Sequence, residues 1–114
     1  MTKLIKSFGF AMSGISAVWR EEVNFRIESV IALLVVGGGI YLGFTKLEWA
    51  FVLVCIGAVL SSEILNTAVE DTCNKIEPSM DPVIGKIKDM MAGFVFVVSV
   101  VSVAIGVMVF TNHL

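Results

Sequence analysis

Charge is scarce in this chain. Only 16% of its 114 residues are Asp, Glu, Lys or Arg, 57% are hydrophobic, and the mean hydropathy is +0.94. That balance excludes an ordinary soluble domain and describes a small integral membrane protein. Two cysteines, Cys55 and Cys73, give neither a disulfide framework nor a metal-binding spacing. The one histidine, His113, stands at the far end, so no His-rich metal motif exists and His113 is expected to be inert. The two prolines, Pro78 and Pro82, interrupt no apolar run; they bracket a connection, ending one helix and starting another around a tight turn over Ile76–Asp81. Basic residues are too scattered for a nucleic-acid surface. The spacing Gly9-Phe10-Ala11-Met12-Ser13-Gly14 imitates a phosphate-binding loop, but Ile15 stands where such a loop needs Lys.

What is present is apolar sequence in three blocks. With flanks included they predict spans over about 28–45, 47–73 and 83–111, against the roughly 20 residues a helix needs to cross a bilayer. Before them Leu4, Phe8, Met12, Ile15 and Trp19 recur at helical spacing, with Lys3, Lys6 and Ser13 off that stripe. This predicts an amphipathic helix over about 1–20 lying on the membrane surface, although Gly9 and Gly14 weaken its propensity. A cleaved signal peptide is not expected, because the segment lacks a continuous apolar region before a small-residue cleavage site. The fold class expected is therefore all-α: one membrane domain, a surface helix and three transmembrane helices. Gly37-Gly38-Gly39 and the Gly39…Gly43 spacing suggest close helix approach in the first span.

Lys3, Lys6, Arg20 and Arg26 precede the first span, Lys75, Lys86 and Lys88 lie between the second and third, and Lys46 stands alone on the other side. The positive-inside rule then places the N-terminus and the second connection in the cytoplasm and the C-terminus outside.

The most informative acids are those joined to a charge-free run. Trp49–Leu60 carries no charge, and Glu63, Asn66, Glu70 and Asp71 follow it directly. An acid at the centre of a membrane helix costs about 2.5–3.5 kcal/mol even on lenient scales, so Glu63 is a candidate site by position alone. At about 100° per residue, Asn66 falls about 60° and Glu70 about 20° from Glu63, forming one stripe. Glu63 and Glu70 differ by roughly 10 Å in height, too much for both to ligate one ion easily. Glu22, Asn24, Arg26 and Glu28 lead into the first span, and Lys86, Lys88 and Asp89 into the third. Lys3, Lys6, Glu48 and Glu77 read as solvated interfacial anchors.

Carboxylates and lysines beside water suit phosphoryl transfer: acids hold Mg²⁺, an ammonium group neutralises phosphate, and a base orients a hydroxyl. A small proton-coupled transporter would also use Glu63 but leaves Glu22, Lys86 and Lys88 without work. A structural or pore-forming oligomer would tolerate loss of Glu70 and Lys88.

The set Glu63-Ile64-Leu65-Asn66-Thr67-Ala68-Val69-Glu70, with Asn24-Phe25-Arg26-Ile27-Glu28 before the first span and Lys86-Ile87-Lys88-Asp89-Met90-Met91-Ala92-Gly93 before the third, resembles the prokaryotic diacylglycerol kinase family, which includes undecaprenol kinases. The likeness covers nearly the whole chain. It implies a homotrimer in the bacterial cytoplasmic membrane, with sites shared between subunits, that uses Mg²⁺ and ATP to phosphorylate a lipid hydroxyl. By that resemblance Glu63 is the general base, Glu22 and Glu70 bind Mg²⁺ with the nucleotide, Lys88 binds phosphate, and Asp89 lies toward the adenosine. Asn66 and Glu28 complete the site, with Trp19 and Arg26 in support. Asn74 stands where the family commonly has Asp, and Asp81 followed by Pro82 where it often has His.

Overall fold

Four helices form in chain order: α1 over Thr2–Glu21, α2 over Val23–Leu42, α3 over Lys46–Ile76 and α4 over Pro82–Thr111. The computed structural model describes residues 2–76 and 81–114, and no strand occurs among the described residues. The expected turn over Ile76–Asp81, with Glu77 and Pro78, therefore lies largely outside them.

The helix ends follow from local chemistry. Glu22 adopts an extended conformation (φ −117°, ψ 112°), which separates α1 from α2 without an intervening loop. Gly9 and Gly14 do not interrupt α1, whose apolar residues Leu4, Phe8, Met12, Ile15 and Trp19 are all exposed. Helix α2 starts at Val23, earlier than hydropathy suggests, because the polar residues Asn24, Arg26 and Glu28 continue the helix before its apolar part. At its other end Gly43 takes a left-handed conformation (φ 74°, ψ 56°), and both Gly43 and Phe44 donate backbone hydrogen bonds to the Gly39 carbonyl, at 2.9 and 3.0 Å. Gly43 of the Gly39…Gly43 spacing thus ends the helix, while Gly38 and Gly39 allow the close approach of Phe110 on α4 and Trp49 on α3. Asp81 caps α4, accepting from the Val83 and Ile84 amides at 2.8 and 3.2 Å, with Pro82 in the first turn where its missing N–H costs nothing.

Helices α2, α3 and α4 are each long and apolar enough to cross a membrane, so this is a multi-pass membrane protein. The 20 residues of α2 make about 30 Å, the thickness of the hydrocarbon core, whereas the 31 of α3 and 30 of α4 make about 45 Å each. Helices α3 and α4 pack together most extensively.

At the end of the bundle near Gly43, Phe44 is buried between Trp49, Phe110 and His113, its ring centroid 5.3, 5.1 and 5.3 Å from theirs. Val52 and Val109 extend this core. Over it lies Glu48, which sequence marks as a solvated anchor but which is only 9% exposed. Thr45 and Glu48 cap α3 reciprocally: the Thr45 amide donates to Glu48 Oε1 at 2.9 Å and the Glu48 amide to Thr45 Oγ1 at 3.2 Å. His113 Nε2 lies 2.9 and 3.0 Å from the two Glu48 oxygens, and Asn112 donates to Oε2 at 3.4 Å. His113 is therefore a structural tie between the end of α4 and the start of α3.

Gly39 is required here for space. A Cβ at this position would lie 2.7 Å from the Phe44 ring and 2.8 Å from that of Trp49. Gly39→Ala is expected to destabilise the protein by about 1–3 kcal/mol, as overpacking of a tight core does, read as a lowered unfolding midpoint in detergent. Gly37→Ala, which meets nothing within 4 Å, serves as the neutral control.

Candidate active site at the α1–α2–α3 junction

On α3 three inward positions are nearly inaccessible: Ser62 at 2%, Glu63 at 3% and Thr67 at 3% exposure. The two hydroxyls are committed to their own helix, Ser62 Oγ donating to the Val59 carbonyl at 2.7 Å and Thr67 Oγ1 to the Glu63 carbonyl at 2.9 Å. The Glu63 carboxyl is the group left over. It lies against the Glu28 carboxyl of α2, within hydrogen-bonding reach, and in the field of Glu22. Glu28 Oε2 is itself fully buried and has no hydrogen-bond partner among the described residues.

The break at Glu22 brings these acids together. Val18 and Phe25, on either side of it, are buried, and Trp19 meets Phe25 edge to face with centroids 6.5 Å apart. Arg26 Nη1 donates to the Trp19 carbonyl at 2.8 Å and to that of Arg20 at 3.4 Å. These carbonyls belong to the last turn of α1, where no intrahelical donor remains, so Arg26 satisfies them and fixes the angle of entry into α2. Ser29 donates to the Phe25 carbonyl at 2.8 Å in the same turn. Trp19 and Arg26 thus hold the junction, and Glu22, at the extended residue, faces α3.

The remaining candidates lie elsewhere. Asn66 is half-buried one turn beyond Glu63, while Glu70 and Asp89 are exposed. Lys88 Nζ donates to Asn74 Oδ1 at 2.5 Å, tying the start of α4 to the end of α3. Asn74 is eleven residues beyond Glu63, about 16 Å along the helix, so Lys88 is held well away from the buried acids within one chain. The Asn74 departure noted in the sequence accordingly has a role, as the acceptor for Lys88.

Among the described residues no three His, Cys, Asp or Glu side chains converge as a metal centre. The donor chemistry nonetheless suits Mg²⁺, which binds through one or two carboxylates and completes its shell with water and substrate phosphates. Glu22 and Glu70 supply hard oxygens of that kind.

One pair escaped the sequence reading. Glu21, at the end of α1, hydrogen-bonds to Asp71 of α3, and that contact, followed by repulsion between the two carboxylates, raises the Glu21 carboxyl above its ordinary range. Each acid is adjacent in sequence to a residue already singled out, Glu22 and Glu70, and only the fold brings the two helices together.

Buried acids among three helices long enough to span a membrane, with a lysine and further acids beyond them, are the features to set beside known proteins. A family model for prokaryotic diacylglycerol kinase matches residues 9–110. The chain is 34% identical to an undecaprenol kinase of Bacillus subtilis (strain 168) over 114 residues, covering 100% of this chain and 93% of the relative. It is 29% identical to a diacylglycerol kinase of Escherichia coli (strain K12) over 112 residues, covering 98% and 92%, and 29% identical to one of Haemophilus influenzae over 97 residues, covering 85% and 82%. The chain belongs to the prokaryotic diacylglycerol kinase family and is a lipid kinase.

The Glu21–Asp71 contact carries a pH dependence of known sign. Because the folded chain keeps the Glu21 proton above 4.5, where the unfolded chain loses it, the contact weakens as pH rises through the folded value. Asp71→Asn is expected to unfold at a higher temperature than the natural protein at pH 7, with the difference vanishing at about pH 4. Equal midpoints at both pH values would show that the pair has no energetic weight.

Proposed function

We propose that the protein transfers the γ-phosphoryl group of Mg·ATP to the hydroxyl of a membrane lipid, with Glu63 as the general base. The observation that carries this reading is the position of Glu63: 3% exposed, at the end of a charge-free run, beside Glu28 and Glu22, with both neighbouring hydroxyls already committed to the helix backbone. A base must lie within hydrogen-bond reach of the proton it takes, and a lipid hydroxyl lies at the depth where an apolar helix first becomes polar. When the base removes that proton, the hydroxyl oxygen attacks the γ-phosphorus and ADP leaves.

Glu22 and Glu70 would hold Mg²⁺, Lys88 would bind phosphate oxygens, Asp89 would lie toward the adenosine, and Asn66 would be a polar partner in the site. When bound, Mg²⁺ neutralises charge on the transferring phosphate and links it to the protein. The extra length of α3 and α4 supports the division of labour, since it takes Glu70 and Lys88 toward the water that delivers nucleotide. The roughly 16 Å between Glu63 and Asn74, which anchors Lys88, supports a homotrimer in which one chain's Lys88 serves another's Glu63. The exposed apolar residues of α1 support its lying on the surface of the bacterial cytoplasmic membrane, with the N-terminus and the site on the cytoplasmic side. The acceptor is diacylglycerol or undecaprenol, the lipids named in the family and its relatives.

Purified protein in mixed micelles with Mg·ATP is expected to phosphorylate one or both of these lipids when they are assayed side by side. Glu63→Gln should lose on the order of 10²–10⁴-fold in turnover while assembling normally. Glu70→Gln should raise the Mg²⁺ requirement, and Lys88→Met should raise the KM for ATP. Mixing inactive Glu63→Gln and Lys88→Met subunits should recover part of the activity if sites are shared. Failure to phosphorylate either lipid would remove this reading.

A further inference from the structure

Lys88 is tied at a place the fold already holds without it. Its ammonium group hydrogen-bonds to Asn74 Oδ1 at 2.5 Å, joining α4 to α3. The start of α4 is fixed independently, by the Asp81 cap on the Val83 and Ile84 amides and by the extensive packing of α4 on α3. Asn74 is exposed, so burial does not call for an amide there, and asparagine is a poor helix former that α3 carries at a cost. What Asn74 supplies is an acceptor oxygen for one lysine.

The chemical nature of that acceptor matters. Acids stand close by in the sequence: Glu70 is one turn before Asn74 on the same face of α3, about 6 Å along the axis, and Asp89 follows Lys88 directly. Among the described residues the one ion pair joins His113 to Glu48, so Lys88 pairs with neither acid. An ammonium group has three donors. One goes to a neutral amide, which leaves the other two and the whole positive charge on the group. A lysine has a long, flexible stem, and a ligand that must order it loses affinity. A tether made beforehand removes part of that loss.

Resting on the lipid-kinase reading above, we propose that Asn74 is a positioning residue for the nucleotide: it holds the Lys88 ammonium ready for phosphate oxygens, through a neutral acceptor that does not compete with them. Asn74 itself touches neither the phosphates nor the lipid. Its effect passes through Lys88.

The test uses the full chain in mixed micelles. Equilibrium binding of Mg·ATP is measured without acceptor lipid, and turnover, the ATP KM and the lipid KM are measured with diacylglycerol or a polyprenol present. Asn74→Ala is expected to weaken ATP binding and raise the ATP KM about three- to tenfold, the range that ordering one flexible side chain is worth, with the lipid KM within about twofold. Asn74→Asp, which keeps an acceptor oxygen at the same reach, should stay closer to the natural protein than Asn74→Ala does. Lys88→Met alone should weaken ATP binding by more than Asn74→Ala. The double variant should match Lys88→Met within about twofold, because Asn74 then has nothing left to position.

Additive losses in the double variant overturn the proposal, since Asn74 would act independently of Lys88. An unchanged ATP affinity in Asn74→Ala overturns it too, as does an equal rise in the lipid KM. Failure of Asn74→Ala to assemble also overturns it, because the contact would then be a structural tie between α3 and α4. If ATP binds but no lipid is phosphorylated, the kinase reading fails by itself, and the binding cycle still decides the role of Asn74.

Discussion

The burial of the Glu63 carboxyl against that of Glu28 is the constraint on which the arrangement depends. Two acids at the end of apolar helices repel each other and lose hydration, so they stay together only if surrounding structure holds them. That structure is the break at Glu22. Its extended backbone stops α1 and starts α2, Val18 and Phe25 bury its two sides, and Arg26 takes up the carbonyls that the break leaves without donors. The junction thus positions the acids and gives α1 its separate direction.

The opposite end of the bundle contains the contrasting case. Glu48 is also a buried carboxylate, but the Thr45 amide, Asn112 and His113 all reach it. A carboxylate satisfied in this way closes a structure: it caps α3 and ties down the end of α4 over the Phe44 core. Among the described residues Glu63 has no such donors, only another acid. The same side-chain type is structural where its lone pairs are filled and chemically available where they are not.

Between these ends the helices are unequal in length. Helix α2 is about as long as the hydrocarbon core is thick, and α3 and α4 are about half as long again. The surplus carries Glu70, Asn74 and Lys88, polar residues suited to water, while Glu63 lies nearer the charge-free run of α3. Asn74 holds the Lys88 ammonium without a formal charge of its own, so the lysine's charge is not neutralised by this contact.

Much of this was legible in the chain itself. Long apolar runs need helices to satisfy their backbone in a bilayer, so the spans could be read from hydropathy, and an acid beside a charge-free run marks itself by its cost, so Glu63 could be found without a fold. The Thr45…Glu48 spacing is a capping signal, but Glu48 also stands at a boundary where solvated charges are common, so pattern alone does not separate the two. Other features were beyond local pattern. The Gly39…Gly43 spacing fits helix contact and helix termination equally well, and only the fold shows that it serves both, with Gly43 left-handed at the end of α2 and Gly39 against the rings of Phe44 and Trp49. Glu28 against Glu63, Glu21 against Asp71, Lys88 on Asn74 and His113 on Glu48 each join residues on different helices, at separations for which sequence has no period. Sequence by itself determined which segments are helical and which acids are too costly to be incidental, because both depend on local hydration. Tertiary structure alone decided which acid each one faces and whether a donor stands between them, because that depends on helix packing and on the direction set at Glu22.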